Sequence, residues 1–119
     1  MKLKQPNKNR VDLDNTEWGD WDYDGNSLIL YNGSLYTGYV VLDRFADNSV
    51  ENEIEYKNGS HVGWENEYNI NGNLIYSCLT VGETSLEIYK YDFEGVLIEP
   101  WRTVGDEYYN YMVNKYNLD

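Results

Sequence analysis

Residues 56–75 read YKNGSHVGWENEYNINGNLI and hold two Asn-Gly pairs, Asn58-Gly59 and Asn71-Gly72, thirteen positions apart. Both residue types tolerate the positive φ that a tight hairpin turn demands, and aromatic and aliphatic residues flank each pair. The stretch therefore reads as strand, turn, strand, turn, strand.

Similar punctuation extends in both directions. Turn signals stand at Asp24-Gly25-Asn26, Asn32-Gly33, Asp47-Asn48-Ser49, Gly82-Glu83 and Glu94-Gly95. Strand-like runs lie between them at Ser27–Tyr31, Leu35–Leu42, Glu51–Lys57, Val62–Ile70, Tyr76–Val81, Ser85–Phe93 and Val96–Trp101. The chain also repeats itself. YNINGNLI from Tyr68 matches YDFEGVLI from Tyr91 with a period of 23, and WDYDGNSLI from Trp21 follows the same pattern with one extra residue. YNGSLYTGY from Tyr31 matches YKNGSHVGW from Tyr56. Repetition at such a period means one hairpin unit used several times.

These segments resemble the MORN-repeat variant, whose units run aromatic, x, Asn-Gly, then Gly, x, aromatic, and then Tyr-x-x-x-Gly-x-Leu. The resemblance covers residues 21–98 and is carried by Tyr56, Asn58, Gly59, Gly63, Trp64, Tyr68, Asn71, Gly72 and Leu74. It implies a single twisted antiparallel meander. In small bacterial proteins it also points to the YwqK-type antitoxins, which neutralise toxins encoded beside them.

The expected fold is mainly β: one antiparallel meander of about seven to eight strands with a C-terminal helix packed on it. Residues 1–16 lack periodicity and read as a flexible basic arm, leaving 17–119 as one domain. The helix is expected over 104–117. Val104, Tyr108, Tyr111, Met112 and Tyr116 form an apolar stripe there, Thr103 stands where an N-cap belongs, and Asp106 and Glu107 occupy the first turn.

Composition narrows the partner class. Thirteen Tyr and four Trp in 119 residues suit half-buried sheet surfaces, where a ring packs and its polar tip stays wet. The net charge is −12, and from Val11 onward five basic residues face 21 acidic ones. That field repels nucleic acid and anionic lipid and favours cationic partners. No apolar run approaches the roughly twenty residues that span a bilayer. MKLKQPNKNR has no apolar segment behind its basic residues, so it is not a secretory signal, and cytoplasmic residence is the expectation.

Alternation within the central hairpin sets an expected register. Ile54 and Tyr56 share one parity, with Glu51, Glu53 and Glu55 on the other. Val62, Trp64, Tyr68 and Ile70 share parity opposite Glu65 and Glu67. A three-residue loop, Asn58-Gly59-Ser60, pairs Ile54 with Trp64 and Tyr56 with Val62, and it sets Glu53 against Glu65 and Glu51 against Glu67 on a solvent face. Glu51, Glu53, Glu55, Glu65 and Glu67, framed by Trp64 and Tyr68, are therefore the expected partner-binding residues. The occupant would be a cognate toxin domain with a basic surface, a nuclease among the possibilities. A solvated face kept for solubility is the competing explanation.

No catalytic residue or cofactor is expected. His61 and Cys78 are the sole representatives of their types, which leaves no zinc cluster of the usual kind and no nucleophile–base pair with a flanking motif. Asp20, Asp22 and Asp24 before Gly25 match the first half of a calcium loop. Its twelfth position is Tyr31 rather than a bidentate Glu, so turn chemistry is the better explanation. A calcium-binding or scaffold-type repeat module is the alternative to the immunity reading.

Overall fold

The computed structural model describes residues 9–21, 27–82 and 84–118. Among them the strands are β1 (Arg10–Asp12), β2 (Glu17–Trp21), β3 (Ser27–Tyr31), β4 (Ser34–Leu35), β5 (Gly38–Arg44), β6 (Val50–Lys57), β7 (Ser60–Tyr68), β8 (Leu74–Val81), β9 (Thr84–Tyr91) and β10 (Leu97–Arg102). A 3-10 turn occupies Leu13–Asn15, and helix α1 (Asp106–Tyr116) follows β10. The chain is mainly β with one C-terminal helix, as its punctuation predicts. No helix among the described residues is long and apolar enough to cross a membrane.

Two features depart from a single meander. The strands form a seven-stranded sheet in the order β1-β5-β6-β7-β8-β9-β10 and a separate three-stranded sheet β2-β3-β4. In addition, β1 runs parallel to β5, with Arg10 beside Tyr39 and Asp12 beside Val41. Residues 10–15 are thus an edge strand and a turn, not the end of an arm; residues 1–8 lie outside the described set. The run Leu35–Leu42, expected as one strand, divides at Tyr36-Thr37. Tyr36 turns inward and its hydroxyl donates to the carbonyls of Tyr39 and Asn9. Gly38 takes a φ of +138° there, where a Cβ would lie 2.6 Å from the Tyr36 hydroxyl.

The central hairpin corrects the expected register. Asn58 and Gly59 adopt φ values of +47° and +85°, making a two-residue turn that pairs Lys57 with Ser60 and Tyr56 with His61. Beyond it Ile54 pairs with Glu65 and Glu53 with Asn66, so Val62, Gly63 and Trp64 stand opposite the single residue Glu55. Pairing of Ile54 with Trp64 does not occur. This bulge needs Gly63, which has a φ of +127° and carries the Glu55 carboxylate against its Cα. Glu53 and Trp64 consequently share a face.

That shared face packs on α1. Tyr39, Val62, Trp64, Leu79, Val81, Leu86 and Tyr89 from the sheet meet Tyr109, Met112 and Leu118. Burying each large apolar side chain contributes about 1.5–3 kcal/mol, enough to hold an eleven-residue helix that would be marginal alone. The other face, over β5 and β6, is covered by Ile29 of the small sheet and by Tyr36, which follows β4, packed on Val40 and Tyr56.

The helix is shorter than expected and rotated. Gly105, not Thr103, is its N-cap. Thr103 instead donates its N–H to Leu86 and its hydroxyl to the Ser85 carbonyl. Tyr109 and Met112 are buried, whereas Tyr108 and Tyr111 of the expected stripe are exposed. A polar contact chooses this face. The Tyr109 hydroxyl donates to buried Glu87 at 2.6 Å, and the Arg102 guanidinium stacks 3.8 Å over the Tyr109 ring.

Candidate binding surface

One end of the large sheet carries the internal repeat in three dimensions. The turns joining β5–β6, β7–β8 and β9–β10 all lie there, at Phe45–Ser49, Asn69–Asn73 and Asp92–Val96. Each has the same two backbone bonds, from the first N–H to the fifth carbonyl and from the fourth N–H to the first carbonyl. The fourth residue is left-handed in every case: Asn48 at +73°, Gly72 at +85° and Gly95 at +86°. Asn69 Oδ1 accepts the N–H groups of Asn71 and Asn73, and Asp92 Oδ1 accepts those of Glu94 and Val96. This is the turn chemistry that makes Asn and Asp the favoured first residue. Phe45 has no such side chain, and Asp47 replaces it by accepting from Ser49.

These turns hold apolar side chains out into solvent. The second position is Ala46, Ile70 or Phe93. Ile70 is 49% exposed and Phe93 61%, with Val96 at 59% and Ile98 at 63% beside them. The last two turns are tied together, since the side-chain amides of Asn69 and Asn73 both donate to the Phe93 carbonyl. Exposed carboxylates at Asp43, Asp47, Glu51, Glu67, Glu94 and Glu99 lie at the same end of the sheet, as does exposed Lys90, the cross-strand partner of Glu99. Arg44 at this end is committed to Asp12 Oδ1 at 2.8 Å and to the Asn48 carbonyl. An adjoining cleft of about 410 Å³ is lined by Asp12, Asp14 and Asp43 among others.

The residues expected to bind a partner are divided by the observed register. Glu51 and Glu67 are exposed at this end, but Glu67 lies opposite Asn52 rather than Glu51. Glu53 and Glu55 are each 1% exposed. Glu53 lies between the two arms of a guanidinium: Arg10 Nε is 2.6 Å from Oε1 and Nη2 is 3.1 Å from Oε2. Asn66 Nδ2 and the Tyr68 hydroxyl also donate to Oε2, and Ser77 donates to Asn66. An isolated buried carboxylate would cost several kcal/mol, and these donors offset that cost. The Glu53 hydrogen bond in turn raises the Arg10 pKa, while burial first and then Glu53 raise that of Tyr68. Glu55 Oε1 accepts the Trp64 N–H at 3.0 Å, and Trp64 itself is core. Glu65 is half-buried on the opposite face, beside His61.

Asp20 is exposed on β2, and Asp22 and Asp24 lie outside the described residues. No group of three potential metal ligands occurs among the described residues. Cys78 is buried between strands, and burial pushes its thiol pKa up.

The exposed apolar turn residues escaped sequence reasoning because they sit in strand-like runs. Their signal was the repeat itself. An apolar residue after Asn69 and after Asp92 occupies a turn, where no core is available to it. Compared with known protein families, with curated proteins and with solved structures, the chain matches none.

Proposed function

We propose that the protein is a non-catalytic binder of the immunity or antitoxin class, occluding a cognate toxin domain that has a basic surface. The reading rests on one observation: Ile70, Phe93 and Val96 on two interlocked turns, with Ile98 next to them on β10, are exposed at an end of the sheet that also carries the exposed carboxylates Glu67, Glu94 and Glu99. Rigid apolar anchors rimmed by charge are the composition of a protein-binding hot spot, and preorganisation lowers the entropy cost of docking. The charge selects a cationic partner and speeds encounter. A nuclease toxin fits that description, because its substrate groove is basic. The resemblance to MORN-variant antitoxins supports the same class.

The test is co-expression with the product of the adjacent gene, followed by affinity measurement on the co-purified pair. Phe93→Ala and Ile70→Ala should each weaken binding at least tenfold, mainly through faster dissociation, while Glu67→Lys and Glu94→Lys should slow association. Binding that is indifferent to all four changes would exclude this end as the contact surface. Failure of the neighbour's product to bind would remove the immunity reading.

A further inference from the structure

A second concavity lies where the small sheet meets the large one, away from the turn end. It encloses about 380 Å³ between Trp18 of β2, Ser27 of β3, Tyr56 of β6 and His61 of β7. Trp18 is 59% exposed, and the Tyr56 and His61 rings stand 5.6 Å apart at 35°.

One ring nitrogen of His61 has two polar neighbours. Its Nε2 lies 3.3 Å from Thr80 Oγ1 and 3.5 Å from Glu65 Oε1. Thr80 Oγ1 also lies 3.2 Å from the Gly63 carbonyl, to which its hydroxyl can donate. In the tautomer with the proton on Nε2, which faces the Glu65 carboxylate, Nδ1 is left as a lone-pair acceptor. Among the described residues the cleft is lined by three aromatic rings and a hydroxyl, with the Glu65 carboxylate 3.5 Å from His61 Nε2. No cationic residue lines the cleft among those described.

We propose that this cleft is a binding site for a guanidinium group. The planar cation stacks on Trp18, with its N–H donors directed to His61 Nδ1 and Ser27 Oγ, and Glu65 supplies the counter-charge through His61. Guanidinium matches the site because it is flat, permanently charged and weakly hydrated, and it stacks on aromatic faces where an ammonium does not. Anions are disfavoured by Glu65 and by the net charge of −12. The inference is independent of the turn-end surface and stands whether or not that surface binds a toxin.

The test titrates the intact protein with arginine amide, with its uncharged isostere citrulline amide, and with a blocked Gly-Arg-Gly tripeptide, following Trp indole and His61 resonances. Saturable shifts with arginine amide in the millimolar range are expected, none with citrulline amide, and a loss of at least tenfold in Trp18→Ala and in His61→Phe. Trp18 is exposed enough that its removal leaves the core intact. Tripeptide binding equal to that of the amide identifies an arginine side chain of another protein as the occupant. Binding of the amide alone identifies a free small molecule. No saturation into tens of millimolar, equal response to citrulline amide, or an unchanged Trp18→Ala variant would overturn the assignment.

Discussion

Replacing Gly63 with Ala tests the feature on which the central register depends. A Cβ there would lie 2.1 Å from Glu55 Oε1, 2.4 Å from its Cδ and 2.8 Å from its Cγ. The obstruction is a buried carboxylate, not the loose end of a surface chain, so it cannot swing clear without surrendering the Trp64 N–H bond. Displacing it leaves a buried charge short of a partner, at about 1–3 kcal/mol. The backbone adds its own term, because an L residue held at a φ of +127° costs about 1–3 kcal/mol. Together these give about 2–6 kcal/mol, a large part of the 5–15 kcal/mol that stabilises a typical domain. For a chain of this size that corresponds to a fall in Tm of about 8–25 °C. Urea and thermal unfolding read the effect directly. Gly72→Ala is the control, since Gly72 also has positive φ (+85°) but nothing within 4 Å of its Cβ position. It should lose only about 1–2 kcal/mol. In the double variant Gly63→Ala with Glu55→Ala the steric component disappears, so the two losses should fall short of additive by about 1 kcal/mol or more. Equal losses for Gly63→Ala and Gly72→Ala, or strict additivity with Glu55→Ala, would refute the account of the bulge.

Two further outcomes follow from the buried polar groups. Arg10→Ala removes the charge partner of the Glu53 carboxylate and should cost about 2–4 kcal/mol, less than the roughly 3–5 kcal/mol of a fully buried pair because Arg10 is about a third exposed. Hydrogen exchange at the Tyr39 amide, which donates to Asn9, should quicken, and Glu53→Gln in the Arg10→Ala background should recover part of the loss. A neutral Arg10→Ala would mean that Glu53 is solvated after all. At alkaline pH, burial is the leading cause raising Tyr36, Tyr39, Tyr56, Tyr68 and Tyr89, and it lifts Tyr76 and Tyr91 to about 12. A folded-state pKa above the unfolded value contributes stability that is complete below pH 10 and lost as the pH rises through the folded values. Urea midpoints should therefore hold up to about pH 10 and fall steeply towards pH 12, with phenolate absorbance appearing in step with unfolding. Smooth tyrosine titration in a chain that stays folded would contradict the burial of these rings.

Much of the architecture is written in local chemistry. Asn58-Gly59 and Asn32-Gly33 make turns because both residues accept positive φ, and Asn69 and Asp92 close theirs with their own side chains. Those choices cost nothing to read, since the interacting atoms are within four residues of one another. The period of 23 in the sequence is the same object as the stacked turns in space. The helix was legible in position but not in phase, because the apolar stripe offered several faces and a distant acceptor, Glu87, chose among them.

Side-chain placement about the central hairpin belonged to the tertiary structure. Parity alone put Glu53 and Glu55 with the solvent-facing carboxylates. A three-for-one bulge at Gly63 reversed the relation between β6 and β7, and a guanidinium 43 residues away in sequence made the inside habitable for Glu53. Neither the bulge nor Arg10 leaves a mark on the alternation of residues 51–67. Local sequence determines where this chain turns and which segments are strands. Which carboxylates meet water depends on partners that only folding brings together, because the cost of burying charge is settled by whatever donors arrive from elsewhere in the chain.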